Sequence, residues 1–269
     1  MWLRMPIELA GGYTSGSQRT RVVSEAWGEE NLYCPNCPSP ALRRAPPNTE
    51  AIDFTCPDCE NPFQLKSGAR PFAARIIDAA YDAMRRAIHQ ARTPNLLLLH
   101  YDAMRWEVQN LLLVPRFVFS MSCIEKRKPL SPAAERRGYV GCFILLGNIP
   151  RDARIRVVAD GVVSSPHTVR EQYARLRPLE KLGYEARGWT LDVLNVVRGL
   201  GLPQFTLADI YAHESVLARL HPQNRFVRPK IRQQLQSLRE LGFLEFLGGG
   251  RYRVSGPGFW ESGMGNRNR

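Results

Sequence analysis

Two Cys-x2-Cys knuckles, Cys34-Pro-Asn-Cys37 and Cys56-Pro-Asp-Cys59, stand 18 residues apart. Two residues between cysteines let both thiolates of a knuckle reach one tetrahedral ion, and this interval suits a four-cysteine zinc site. The stretch between 34 and 59 is therefore expected to fold as a zinc ribbon. Four thiolates leave no open coordination position, so this Zn²⁺ is expected to be structural and not catalytic. Disulfides are the weaker reading: residues 1–10 hold Arg4 and Glu8 with no sustained apolar run, so no export signal is expected. Cys123 and Cys142 stand apart and read as core residues.

The 269 residues allow one large domain or two ordinary ones, and a hydrophobic content of 44% is enough to bury a core. Lys and Arg number 37 against 25 Asp and Glu, a formal charge of +12. That balance favours a polyanionic partner and leaves the fold open. The longest apolar stretches, residues 96–99 and 111–114, are far too short to span a bilayer. A soluble, cytoplasmic protein with no membrane partner is expected.

Residues 13–31 read as an amphipathic helix with Val22, Val23, Ala26 and Trp27 on one side. A loop at 38–47 interrupts the cysteine segment, and 62–66 reads as a short strand. Residues 72–92 carry the clearest helical pattern: Phe72, Ile76, Ala80, Met84 and Ile88 recur every four residues, with Arg75, Arg85, Arg86 and Arg92 opposite. Strands are expected at 95–101, 107–114, 142–146 and 154–159, which points to an α/β or α+β domain. The character changes near 182–187. Helices are expected at 190–199, 206–220 and 229–241, with Thr206 as an N-cap and Gly242 as a stop. Two apolar runs then flank Gly248-Gly249-Gly250 as a hairpin. Three helices and a hairpin give the winged-helix order. The expected division is 1–183, 184–254 and a loose tail over 255–269.

The second knuckle sits between Asp53 and the strand Gln64-Leu65-Lys66. Strand alternation puts Gln64 and Lys66 on one face and Leu65 on the other. Pairing of 51–55 with 62–66 would place the knuckle at a hairpin turn and set Asp53 beside Gln64 and Lys66. This arrangement resembles a PD-(D/E)xK nuclease core. There an acid and a second ligand hold Mg²⁺, and a lysine positions or activates the attacking water. Phosphodiester chemistry needs both, because charge develops on the phosphoryl oxygens.

Much of the chain also resembles the DpnI-like restriction endonucleases. The shared blocks are Ser17-Gln18 with Arg21, Tyr33-Cys34-Pro35-Asn36-Cys37, Asp53-Phe54 and Leu65-Lys66-Ser67. They continue through Arg127-Lys128-Pro129-Leu130, Val140-Gly141-Cys142, Arg187-Gly188-Trp189-Thr190 and 230–236, in order, over nearly all of residues 13–254. The resemblance implies a methyl-directed endonuclease with a zinc-containing PD-(D/E)xK domain and a winged helix, both able to engage DNA methylated on adenine, most often at GATC. It implies Asp53, Gln64 and the Leu65 backbone carbonyl as Mg²⁺ ligands and Lys66 as the catalytic lysine, in a chain acting as a monomer. The family glutamate before Leu-Lys is Gln64 here, which removes one charge from the metal site, although QxK variants resemble Mrr-like nucleases. The family tryptophan before Val-Gly-Cys is Tyr139. Glu25 matches a family position and is read as a solvated helix face.

A methyl group in an apolar pocket contributes about 0.8 kcal/mol by area, so one pocket discriminates weakly and two readings multiply the preference. In the winged helix, Arg225, Arg228, Lys230, Arg232 and Gln233 are expected to begin the third helix, the usual major-groove reader. Arginine can fork onto guanine and glutamine can bond adenine, with most of the cations assigned to phosphate. Arg251 and Arg253 on the wing are phosphate candidates, Trp189 is expected in the core, and Asn36 either faces DNA or caps its knuckle. Two alternatives stand beside the nuclease: Gln64 suits a methyl-DNA reader without chemistry, and Tyr139 suits a nuclease with a changed recognition sequence.

Overall fold

The computed structural model describes residues 1–46, 49, 51–131 and 133–255. Helix α1 (Gly16–Asn31) buries Val23, Ala26 and Trp27. Two short strands follow, β1 (Arg43–Arg44) and β2 (Phe54–Thr55), and then β3 (Pro62–Gly68). Next come β4 (Arg75–Ala80), α2 (Tyr81–His89), β5 (Asn95–Asp102) and β6 (Glu107–Val114). The first half of the chain closes with β7 (Ile124–Lys126), β8 (Gly141–Leu145), β9 (Ile155–Ala159) and β10 (Val162–Val163). A seven-stranded sheet runs β1-β2-β3-β5-β6-β9-β10, and a smaller one runs β4-β8-β7.

Among the described residues, β3 and β5 are the one parallel pair of the large sheet. A parallel pair needs a long crossover, and here the crossover carries β4 and α2. Leu96 to Leu99 are all buried, as expected of a strand covered on both faces.

The expected helix over 72–92 is half strand. Ile76 and Asp78 point inward while Arg75 and Ile77 are exposed, a period of two. Spacing by four is a multiple of two as well as close to one helical turn, so Ile76 and Ala80 satisfied both patterns. The helix begins only at Tyr81, where Met84 and Ile88 keep the spacing.

Helix α3 (Pro166–Leu176), which periodicity did not single out, starts with Pro166 behind the cap Ser165, whose Oγ accepts the Thr168 N–H. Helix α4 (Tyr184–Gly199) begins six residues ahead of its expected start at 190 and buries every residue from Arg187 to Leu194. A helix apolar and buried all round lies between other elements, and α4 bridges the two halves of the molecule. Its Arg198 pairs with Asp152, and its Asn195 donates to the Gly147 carbonyl.

Beyond it lie β11 (Gln204–Thr206), α5 (Leu207–Tyr211), α6 (Glu214–Leu220), α7 (Val227–Glu240), β12 (Leu244–Gly248) and β13 (Arg251–Val254). Thr206 caps α5 in a reciprocal capping box with Asp209. The single helix expected at 206–220 is broken at Ala212 and His213, so that α5 and α6 each pack on α7, with Ile210 and Leu217 buried. The hairpin stands as expected, with Gly248, Gly249 and Gly250 all at positive φ, where a side chain would be strained. Strand β11 adds a third strand in the order β11-β13-β12. No helix among the described residues is long and apolar enough to cross a membrane. The expected tail lies, after Ser255, outside the described residues.

Candidate metal centres and nucleic-acid interface

The four knuckle sulfurs lie within 4.8 Å of one another. Cys34 and Cys59 Sγ are 3.6 Å apart, and Cys37 and Cys56 Sγ 3.5 Å. Disulfide sulfurs would sit at about 2.05 Å, whereas Zn–S bonds of about 2.3 Å in a tetrahedron separate sulfurs by about 3.8 Å. The cage fits Zn²⁺. Burial alone would raise the Cys59 thiol, but N–H donors from Asn61 and Asn36 outweigh it and bring it down to about 6. Asn36 thus turns its side chain onto Cys59 Sγ at 3.6 Å, and its backbone N–H onto Cys34 Sγ. These contacts cap the knuckle turn. Arg170 of α3 clamps the ribbon, donating to the carbonyls of Cys34 and Ser39.

The second knuckle does close a hairpin. Phe54 pairs with Phe63, Thr55 with Pro62, and the Asp53 N–H donates to the Phe63 carbonyl, which holds Asp53 at the edge of β3. Strand alternation then turns the N–H and C=O of Leu65 to the same edge of β3. The strand β2 ends there, and the Asp53 carboxylate takes the place of the missing backbone partner by accepting the Leu65 N–H at 2.7 Å.

A cleft of about 500 Å³ opens beside this contact, lined by Asp53 and Leu65 with Arg21, Ser24 and Glu25 of α1 and Ser67 of β3. Ser24 and Ser67 share a hydroxyl hydrogen bond of 2.9 Å that pins α1 to β3. Glu25 pairs with Arg21 at 2.6 Å, and its side chain is only 20% exposed. It belongs to the cleft and not to a solvated helix face. The burial of Asp53 pushes its carboxyl above the ordinary range, and Glu25 adds to this; the Leu65 N–H, Arg21 and Lys66 pull the other way. Two carboxylates sharing one cleft, one of them short of compensation, suit a divalent cation.

Gln64 and Lys66 share a face, as alternation required, but their side chains do not line the cleft. Both turn to Asp78 of β4: Lys66 Nζ is 2.8 Å and Gln64 Nε2 3.2 Å from its Oδ1. Asp78 was missed because it lay inside the mistaken helix. The alternation Ile76, Asp78, Ala80 was the signal that could have found it.

The residues expected to touch nucleic acid fall in both halves of the chain, Tyr139 in the first and the cations at α7 and the wing. Tyr139 is half-buried, its ring about 3.3 Å from the Cβ position of Gly141 and 5.9 Å beneath the Arg136 guanidinium. Arg225 lies just ahead of α7, not in it. Arg232 and Gln233 are exposed on α7, and Lys230 is partly covered. Arg228 pairs with Glu214 at 2.8 Å and lies over the Tyr211 ring. On the wing Arg251 is exposed, while Arg253 is tied to Glu245. Trp189 is buried, as are Cys123 and Cys142.

Residues 1–182 match the family model described as DpnI, Dam-replacing family, and residues 185–254 match DpnI_C, Dam-replacing HTH domain.

Proposed function

This chain belongs to the Dam-replacing family of methyl-directed restriction endonucleases, and we propose that it hydrolyses phosphodiester bonds of duplex DNA methylated on adenine, at GATC. The observation that carries the reading is the Asp53–Leu65 contact at the strand edge, set between Glu25 and the charge of Lys66. The division is a nuclease domain over 1–183 and a winged helix over 184–254, acting as a cytoplasmic monomer.

Asp53, the Leu65 carbonyl and Gln64 Oε1 would hold Mg²⁺, with Glu25 as a further carboxylate of the cleft. The ion, when bound, offsets charge on the phosphoryl oxygens and lowers the pKa of a bound water. The chain's own groups do the rest. The Lys66 ammonium, held on Asp78 at 2.8 Å and near enough to favour the Asp53 charge, would offset charge on the developing oxyanion. Arg21 at the cleft mouth, 71% exposed on its side chain, meets the DNA backbone. Arg225, Lys230, Arg232, Gln233 and Arg251 engage the duplex through α7 and the wing, and Tyr139 offers an aromatic face to the methyl group.

The test is digestion of one plasmid, grown with and without GATC adenine methylation, in Mg²⁺, beside a Lys66→Ala control. Cutting of the methylated plasmid alone, lost in the control, establishes the activity. Binding to methylated DNA without cutting assigns the chain to the reader class, and cutting at other methylated sequences moves the recognition site.

A further inference from the structure

Asp78 is the buried acid on which two proposed active-site side chains converge. Its side chain is 3% exposed, and it accepts from both Lys66 Nζ and Gln64 Nε2. A carboxylate only accepts hydrogen bonds, so the end of the Gln64 amide that faces it must be the NH₂. Oxygen and nitrogen are separate ends of the amide, so this contact leaves Oε1 free of Asp78. The local backbone supports the aim: a register shift between Asp78 and Ala80 in the β4–β8 pair is the kind of irregularity that redirects a strand side chain.

We propose that Asp78 is a positioning residue for metal and lysine together: it orients the Gln64 amide with its oxygen available to the ion and anchors the Lys66 ammonium beside Asp53. This rests on the nuclease reading above. Asp78→Asn would strand Lys66 and leave the Gln64 amide free to turn. In a Gln64→Ala background no amide is left to orient, so Asp78→Asn should then add little to any loss of metal affinity.

The experiment compares the parent, Asp78→Asn, Gln64→Ala and the double variant by single-turnover cleavage of methylated duplex, by duplex affinity, and by Mn²⁺ affinity from the electron paramagnetic resonance of free Mn²⁺. Each single variant is expected to cleave 10- to 100-fold more slowly and to bind Mn²⁺ more weakly, with duplex affinity within twofold of the parent. The double variant is expected to bind Mn²⁺ within twofold of the weaker single variant. Additive losses in Mn²⁺ affinity, or an Asp78→Asn protein within twofold of the parent in both rate and Mn²⁺ affinity, overturn the proposal. Should Asp78→Asn fail to fold, Asp78→Glu takes its place: weaker Mn²⁺ binding that Gln64→Ala does not deepen upholds the coupling, and parental rate and Mn²⁺ affinity overturn it. If the parent binds Mn²⁺ and cuts nothing, the nuclease reading fails, and non-additivity in Mn²⁺ affinity still judges Asp78.

Discussion

His221 Nε2 lies 2.8 Å from an Asp192 carboxylate oxygen, and its imidazole stacks on Trp189 with ring centroids 3.8 Å apart. The other Asp192 oxygen accepts the Ser122 hydroxyl at 2.6 Å. One buried carboxylate of α4 therefore joins a residue ahead of β7 to one that follows α6.

Removing that carboxylate strands both donors. Asp192→Ala is expected to lower the unfolding free energy by about 1–3 kcal/mol, the usual cost of an unmet buried polar group. Asp192→Asn, which keeps one acceptor, should lose less. Urea unfolding reads both, and limited proteolysis should cut the Ala variant sooner between the two halves. An Ala variant as stable as the parent would show that the joint is held elsewhere.

Zinc removal should act on the catalytic register as well as on the ribbon. The second knuckle is the turn that brings Asp53 to the edge of β3, so losing the ion loosens the strand pair that positions the acid. Elemental analysis should find one zinc per chain, and Cys56→Ser should lose it, with a lower melting temperature and little cleavage. A zinc-free protein that melts and cuts like the parent would contradict this.

The parts legible in the sequence are those that a local rule fixes. Metal-ligand spacing placed the four cysteines, alternation placed Gln64 and Lys66 on one face, and an N-cap with a glycine turn marked α5 and the wing. The parts that were not legible depend on partners distant in sequence. Asp78 reaches Lys66 only because β4 leaves the crossover to join the small sheet. Glu25 looked like a solvent-facing helix residue because nothing near it in sequence reveals that β3 brings Asp53 against α1. The break at His213 and the clamp of Arg170 on the ribbon are tertiary in the same sense.

Asp53 carries a cost in the metal-free protein, since burial and Glu25 both disfavour its charge. Its folded-state pKa lies above the unfolded one, so its neutral form favours folding. Metal-free stability should therefore decline as pH rises from the ordinary carboxylate value through the raised one. Asp53→Asn should melt higher than the parent at neutral pH without metal, and it should cut nothing. Mg²⁺ should raise the melting temperature of the parent and leave that of the variant nearly unchanged. Equal responses of the two proteins to Mg²⁺ would remove Asp53 from the ion's ligands.

Gly28 connects the fold to the site most directly. A Cβ at this position would stand 2.7 Å from Phe54 Cζ, closer than a relaxed carbon contact allows, and 3.1 Å from Leu32 Cδ1, tighter than most. Phe54 is fully buried and immediately follows Asp53, so α1 and β2 approach through a gap that only glycine leaves open. In the middle of a helix, alanine would ordinarily be preferred over glycine by about 1 kcal/mol. The clash should reverse that preference, because overpacking a close-packed core costs about 1–3 kcal/mol. Gly28→Ala is expected to lower stability and, by pushing Phe54, to shift Asp53 relative to Leu65. Cleavage should then fall by more than the loss of folded protein explains, with duplex affinity through α7 and the wing retained. A Gly28→Ala protein that melts higher and cuts at the parental rate would mean that the helix–strand spacing relaxes freely and does not set the position of the acid.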